Sequence, residues 1–310
     1  MSKVALIPCD DYSSPDSAVS EAIALAGGFS VQPQRGARIT VKPNLLTASR
    51  PEDAVVTHPS FIAAVTKHLN QTGLIARIAD SPAWGSARGV CRSAGYEAAL
   101  KGTFHEISEF DSGTLLSCPT DLGLKEVTLA DHALNTPLLI NAPKLKGHVQ
   151  MIFTGAVKNL FGCVVGKRKP LYHCMVKNSK VTFAHMLLDI VDLLPPTFAI
   201  MDAIMCMEGN GPSSGTPRKM GVIIASREPL HADVLACHLI GLDPEQSPLM
   251  VAAKERGLPY KIDDIEIVGA DPSAFRLSDF ERAEPMDITF NPLRVAMSAV
   301  KGQLIKMAEK

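Results

Sequence analysis

The sequence predicts an α/β fold: largely parallel sheet with crossover helices, arranged as two lobes with a cleft between them. Three observations lead there. Short aliphatic runs alternate with helical stretches along the whole chain, the pattern of strands joined by crossover helices. A hydrophobic fraction of 46% against an aromatic content of 5% gives 310 residues a sizeable, mainly aliphatic core. Several of the runs stop at a charged or amide residue, and open α/β sheets bind their ligands at the carboxyl ends of strands.

Taken in order, residues 4–7 read as a strand and 17–26 as a helix, with Ser14 or Asp16 near its cap. Residues 39–42 form the next strand, and Pro43 fixes the turn behind it. Thr57 is placed to cap a helix over 59–71, because proline suits a first helical position. Residues 75–79 make a strand leading into Asp80, and 90–100 a helix interrupted at Gly95. Short strands follow at 127–129 and 138–140, then a helix at 155–161 carrying Lys158 and Asn159 near its end. An apolar helix over 183–194 turns Asp189 and Asp192 outward and stops at Pro195-Pro196. Residues 198–201 form a strand ending at Asp202, followed by a glycine-rich loop (209–215) and a strand (221–226). Helices at 229–240, with Asp233 inside, and 248–255 precede a late strand at 265–268 and a final helix from Asn291. A boundary near 122–130 divides an N-terminal lobe, 1–125, from a C-terminal lobe, 126–310.

The stretch LLINAPKLKGHVQMIFTGAVKNLFGCVVG carries the most chemistry. Asn141, Lys144, Lys146, His148, Thr154, Lys158 and Asn159 crowd into an apolar frame. Lysines are rarely buried unless paired, so an anionic small molecule bearing phosphate or carboxylate is the expected partner. Lys42 and Asn44 repeat the chemistry after residues 39–42, which brings both groups to one cleft. In this reading Lys42, Asn44, Lys144, Lys146, Lys158, Asn159 and Asn210 bind the ligand. Asp80, Asp202 and Glu208 hold a divalent metal through oxygen ligands, act as a general base, or neutralise Lys42, Lys144 and Lys158. His148 is the leading proton shuttle, with His58 and His173 in the same segments; each is equally read as a hydrogen-bonding residue.

Net charge of -1 and a pI near 6.8 leave no basic field for nucleic acid. The N-terminus has too short an apolar run for a signal peptide, and no stretch has the roughly 18 to 20 apolar residues of a membrane span. The reading is a soluble, cytoplasmic protein without nucleic-acid or membrane partners. Its seven cysteines are scattered, with no CxxC run for a zinc knuckle or ferredoxin-type cluster. Most read as small buried apolar residues. Cys163, Cys174 and Cys206 lie within the charged segments and are the cysteine candidates for a metal or [4Fe-4S] cluster. No GxxxxGK[ST], GxGxxG or HExxH is present, which disfavours conventional P-loop, dinucleotide and zincin chemistry.

The motifs VKPNLL (41–46), THPSFIAAV (57–65), ADSPAWG (79–85), NAPKLKGH (141–148) and TGAVKNLFGCVVG (154–166) stand in order. MDAIMCMEGNGPSSGTP (201–217) and ASREPLHADVLACHLIGLDP (226–244) continue the series. The chain resembles the family of domain of unknown function 362 over roughly residues 39 to 270. Some members are iron–sulfur proteins, many with a C-terminal ferredoxin-like module of two CxxCxxCxxxCP runs. This chain has no cysteine after Gly269, so it matches the core alone. The resemblance implies an alternative function: a redox accessory protein working with a separate ferredoxin-like partner.

Overall fold

The computed structural model describes residues 3–166 and 168–288; the helix expected from Asn291 lies outside them. The first part of the chain supplies β1 (Lys3–Pro8), α1 (Asp16–Leu25), β2 (Arg38–Pro43), α2 (Pro59–Gln71) and β3 (Ile75–Asp80). The helix expected over 90–100 is two, α3 (Ala87–Ser93) and α4 (Tyr96–Ala99), broken at Gly95, whose φ of 78° suits glycine. Next come β4 (His105–Glu109), then β5 (Gly113–Ser117) and β6 (Glu126–Ala130), which form a separate antiparallel ribbon. Then follow α5 (Asp131–Leu134), β7 (Leu139–Ala142), β8 (Lys144–His148), β9 (Ile152–Thr154), α6 (Ala156–Leu160), α7 (Arg168–Met175) and α8 (Lys180–Leu193). The remaining elements are β10 (Thr197–Glu208), β11 (Thr216–Ser226), α9 (Pro229–Leu239), α10 (Pro248–Glu255) and β12 (Glu266–Gly269).

Ten strands join one mostly parallel sheet in the order β12-β1-β11-β10-β7-β2-β3-β4, with β8 and β9 branching from β10. The antiparallel pairs are those of β11 with β1 and β10 and of β8 with β9. Strands from both sides of residue 125 meet directly where β2 pairs with β7. Because β1, β10, β7, β2 and β3 run the same way, Lys42, Asp80 and Asn141 emerge at one edge of the sheet. Side chains alternate across it as the period of two demands. Val4, Leu6, Ala199 and Met201 pack with residues of α6, α8, α9 and α10. Ala5, Ile7, Phe198 and Ile200 pack with those of α1 to α4. Among the described residues no helix is long and apolar enough to cross a membrane.

Four local expectations are corrected. β10 does not end at Asp202 but continues six residues further, to Glu208. β8 and β9 were hidden from the pattern, because a strand carrying Lys144 and Lys146 reads as a polar loop until its lysines find partners. Asp189 faces inward and is fully buried, paired with Arg256 at 2.9 Å across 67 residues of sequence. Thr57 does not cap α2; His58 does, its Nδ1 accepting from the Ser60 amide. Thr57 instead accepts from the Asn44 amide and donates to the Ala142 carbonyl, tying the loop after β2 to β7.

β8 and the glycine-rich loop pack backbone against backbone. A Cβ on Gly147 would lie 2.5 Å from the Gly209 carbonyl oxygen. Gly147→Ala is therefore expected to cost about 1–3 kcal/mol by overpacking, read as a lower urea midpoint with unchanged slope. An unchanged midpoint would mean that the loop does not rest on β8.

Candidate functional site

The site begins with a buried ion pair. Lys42 leaves β2 and meets Asp80, the last residue of β3, at 2.8 Å, both side chains almost wholly shielded. The ammonium also donates to the Pro43 carbonyl at 2.9 Å and to Asn159 Oδ1 at 3.4 Å. Asp80 accepts from the Leu45 and Ser81 amides, so its charge is satisfied from three sides. Asn159 donates to the Lys42 carbonyl and to Asn141 Oδ1, and Asn141 donates to the Ala156 carbonyl. These asparagines therefore orient Lys42 and α6. Gly162 leaves room for the pair: a Cβ there would come within 2.5 Å of Asp80 Oδ1 and clash with Lys42.

A second pair lies one step along the sheet. Lys144 meets Asp202 at 2.9 Å, with neither side chain exposed to water. Asp202 also accepts from the Tyr12 hydroxyl at 2.7 Å and from the His58 amide at 3.0 Å. The Tyr12 hydroxyl accepts in turn from Lys144 at 2.6 Å and from the Met205 amide. Its acidity is suppressed by burial and by Asp202. The Tyr12 ring stacks on His58 with centroids 3.6 Å apart. Burial holds His58 down to about 4, so it is neutral near pH 7.

Lys146 is different. It is fully buried and donates to Asn44 Oδ1 at 3.2 Å, the Val55 carbonyl at 2.8 Å and the Pro212 carbonyl at 3.1 Å, all uncharged. One ammonium thus fastens the loop after β2 to the glycine-rich loop. Desolvation, then Lys158 and Lys144, push its pKa well down, and Asp80 and Lys42 also lie within electrostatic reach. Lys42, Lys144 and Lys158 thus all lie within electrostatic reach of this residue, while Asp202 reaches the group through its pair with Lys144.

Lys158 sits on the five-residue α6, too short to be stable alone. Asp233 of α9 stabilises its start: the buried carboxylate accepts from the Ala156 and Val157 amides, the latter at 2.9 Å. Desolvation raises Asp233 to about 7 despite those bonds, and Gly155 lies against it where a Cβ would collide. Lys158 is half-buried, and burial followed by Lys169 brings it down to about 8. Among the described residues its amine has no hydrogen bond or ion pair. His148 is within reach of Lys158, Lys146, His173 and Lys180, and burial holds it well below the usual imidazole range. Its Nδ1 accepts from the Gln150 and Met151 amides, which places the proton of the neutral ring on Nε2. His173, between Phe161 and Phe183, is pushed to about 3 by burial and then by Lys158.

The family described as Domain of unknown function (DUF362) matches residues 39–238, which span every one of these lysines. The chain belongs to the DUF362 family. The thylakoid-associated protein sll1697 of Synechocystis sp. (strain ATCC 27184 / PCC 6803 / Kazusa) is 34% identical over 285 residues, 92% of this chain and 88% of its own length. The lactate racemase apoprotein of Thermoanaerobacterium thermosaccharolyticum is similar at a TM-score of 0.42 and 12% identity over 74% of this chain. The chain covers only 56% of that protein, a likeness too distant to bear on chemistry.

Not every expected residue joins this DUF362 site. Glu208 accepts from the Glu281 amide and pairs with Arg218 at 3.7 Å, and Asn210 accepts from the Glu284 amide. Both hold an extended strap, residues 281–288, against the glycine-rich loop. Gln150 and Asn178 fasten its far end through Asp287 and Ile288. Cys163 is buried within reach of Lys42 and Asp80, with burial pushing its thiol up to about 12, while Cys206 lies by Lys144 and Cys174 is exposed on α7. The three cysteines thus belong to separate surroundings. Among the described residues no three His, Cys, Asp or Glu side chains gather as metal ligands do. Tyr12 and Asp233 join this buried network although motif reading did not select them. Tyr12 follows β1 at the same edge of the sheet, so the strand-end rule reaches it once applied to the first strand.

Two outcomes follow for the DUF362 chain. Asp202→Ala should cost about 3–5 kcal/mol by leaving Lys144 buried and unpaired, whereas the double variant Lys144→Met with Asp202→Leu should recover most of that loss. Guanidinium unfolding measures both, and a near-silent Asp202→Ala would contradict the pairing. The second outcome concerns acid. An unfolded histidine takes its proton near 6.5, whereas His173 resists protonation down to about 3, so stability falls as pH drops through that window. This group alone contributes a slope of about 1.4 kcal/mol per pH unit, so His173→Phe should make the stability profile between pH 6.5 and 5 less steep by about that amount, with the depressed His58 and His148 supplying the remainder.

Proposed function

We propose that this DUF362 protein binds a phosphate- or carboxylate-bearing small molecule at the cation cluster around Lys158, as an enzyme on such a substrate. One observation carries the reading. Four lysines, 42, 144, 146 and 158, share this edge of the sheet with two buried carboxylates, Asp80 and Asp202. Each carboxylate is taken by one lysine, so the cations at 146 and 158 have no carboxylate partner. Like charges held together out of water oppose folding, and an anion that binds only the folded state offsets them.

A second feature supports the location. Thr154 stands directly across from Lys146 in the β8–β9 ladder, so the two side chains share a face. Its hydroxyl is buried and has no hydrogen-bond partner among the described residues, a state that costs about 1–3 kcal/mol unless another molecule satisfies it. Lys146 is shut away, so in this reading it acts on the ligand through its field. Lys158, half-buried and unengaged, makes the contact. Asn44, Asn141 and Asn159 set the lysines in place.

Inorganic phosphate and small carboxylates, titrated at constant ionic strength, are expected to raise the melting temperature. A ligand at a hundred times its Kd adds about 2.7 kcal/mol, and Lys158→Ala should abolish most of the response. The effect should weaken as pH rises above about 8, where Lys158 loses its proton. A flat response across the series, with sodium chloride as control, would rule the anion site out.

A further inference from the structure

Lys158 differs from its neighbours in what its nitrogen does. Lys42, Lys144 and Lys146 each spend their hydrogens on two or more acceptors within 3.4 Å. The Lys158 nitrogen is engaged by none of the described residues, yet it is half-buried rather than waving in solvent. Its backbone is fixed from outside the site, by the Asp233 carboxylate at the start of α6. A rigidly placed, unengaged amine in cationic company is a poor structural device, since it adds repulsion and no bond.

We propose that Lys158 is a nucleophile that forms an imine with an anionic carbonyl compound, such as a 2-oxo acid, held at the cation cluster. The proposal rests on the anion-binding reading above and adds the reaction. The nitrogen lone pair attacks the carbonyl carbon while the C=O electrons move to oxygen. Nitrogen gives up a proton, oxygen takes up two in turn, and the C–O bond breaks as water leaves and C=N forms. The departing water carries one proton from nitrogen and one supplied by solvent or a neighbouring group, and the protonated imine keeps the amine's remaining hydrogen. No electron is gained or lost overall, so no oxidant, reductant or further substrate is needed.

Three features favour the step at this lysine. Desolvation and an adjacent cation are the two means by which a lysine amine is made nucleophilic near neutral pH. Lys158 has both, through its burial and Lys169, which leaves about a tenth of it as free amine at pH 7; an unperturbed lysine has less than about a thousandth. The charge surplus around Lys146 selects a carbonyl compound that carries an anion, which sets the carbonyl beside the amine. His148 is neutral, with its proton on Nε2, and lies within electrostatic reach of Lys158; it adds no competing charge and offers a hydrogen to the departing oxygen.

The test uses the full chain with glyoxylate and with pyruvate, in the presence of cyanoborohydride, followed by peptide mapping. The expected result is one reduced adduct per chain, on Lys158. It should form at least ~10-fold faster than adducts on exposed lysines such as Lys3, Lys101 and Lys125, as the difference in free amine requires. Inorganic phosphate should slow it, and Lys158→Arg should remove it. Labelling spread evenly over surface lysines, while phosphate still raises the melting temperature of the native protein, would overturn the imine and leave the anion site standing. Loss of both the selective adduct and the phosphate response would overturn both readings.

Discussion

An ammonium group shut away from water must be met by a carboxylate or by a full set of acceptors, and the Lys144–Asp202 pair imposes that condition on this fold. Neither side chain reaches solvent. Asp202 therefore recruits the Tyr12 hydroxyl from beyond β1 and the His58 amide from the start of α2, while the hydroxyl recruits the Met205 amide from β10. Segments separated by up to 193 residues are held at one point by charge rather than by apolar contact. The cost of breaking such a pair exceeds the gain from making it, so its value lies in fixing where the surrounding loops sit.

Those loops carry the rest of the site. With the loop after β2 in place, Asn44 and Val55 present their oxygens to Lys146, and the glycine-rich loop brings Pro212 to the same nitrogen. The Lys42–Asp80 pair does the equivalent on the other side, through Asn159 and Asn141. Lys42 and Lys146 are thus oriented by amide and carbonyl oxygens, and Lys144 by Asp202 and the Tyr12 hydroxyl. Lys158 is the exception, and its freedom is imposed by the scaffold: α6 is positioned through Asp233, which leaves the side chain unclaimed.

Much of this was legible in the sequence, for a definite reason. In a parallel sheet the strand ends share an edge, so a lysine after 39–41, an aspartate after 75–79 and an asparagine after 138–140 had to meet. What escaped were features whose partners lie far away in sequence. β8 looked like a loop because the carboxylate that lets Lys144 be buried is 58 residues on. Asp189 looked solvated because Arg256 lies beyond α10. Glu208 and Asn210 looked like ligand groups, since nothing in MEGNGP announces a strap returning 73 residues later. Local pattern brought the ends of β2, β3 and β7 to one edge, but it stopped β10 six residues early and was silent on which distant backbone arrives there.

The position of β1 has a consequence for what counts as a unit of inheritance. The region matched by the family model begins at residue 39, yet β1 lies between β12 and β11, inside the sheet rather than beside it. A fragment cut to 39–238 would turn β11 into a bare edge, with the amides and carbonyls that faced β1 open to any passing chain. It would also take Tyr12 away from Asp202 and Lys144. The segment matched by the family model is therefore smaller than the sheet it belongs to: the flank before it supplies β1, and the flank after it supplies β12, which closes over β1 from the outside.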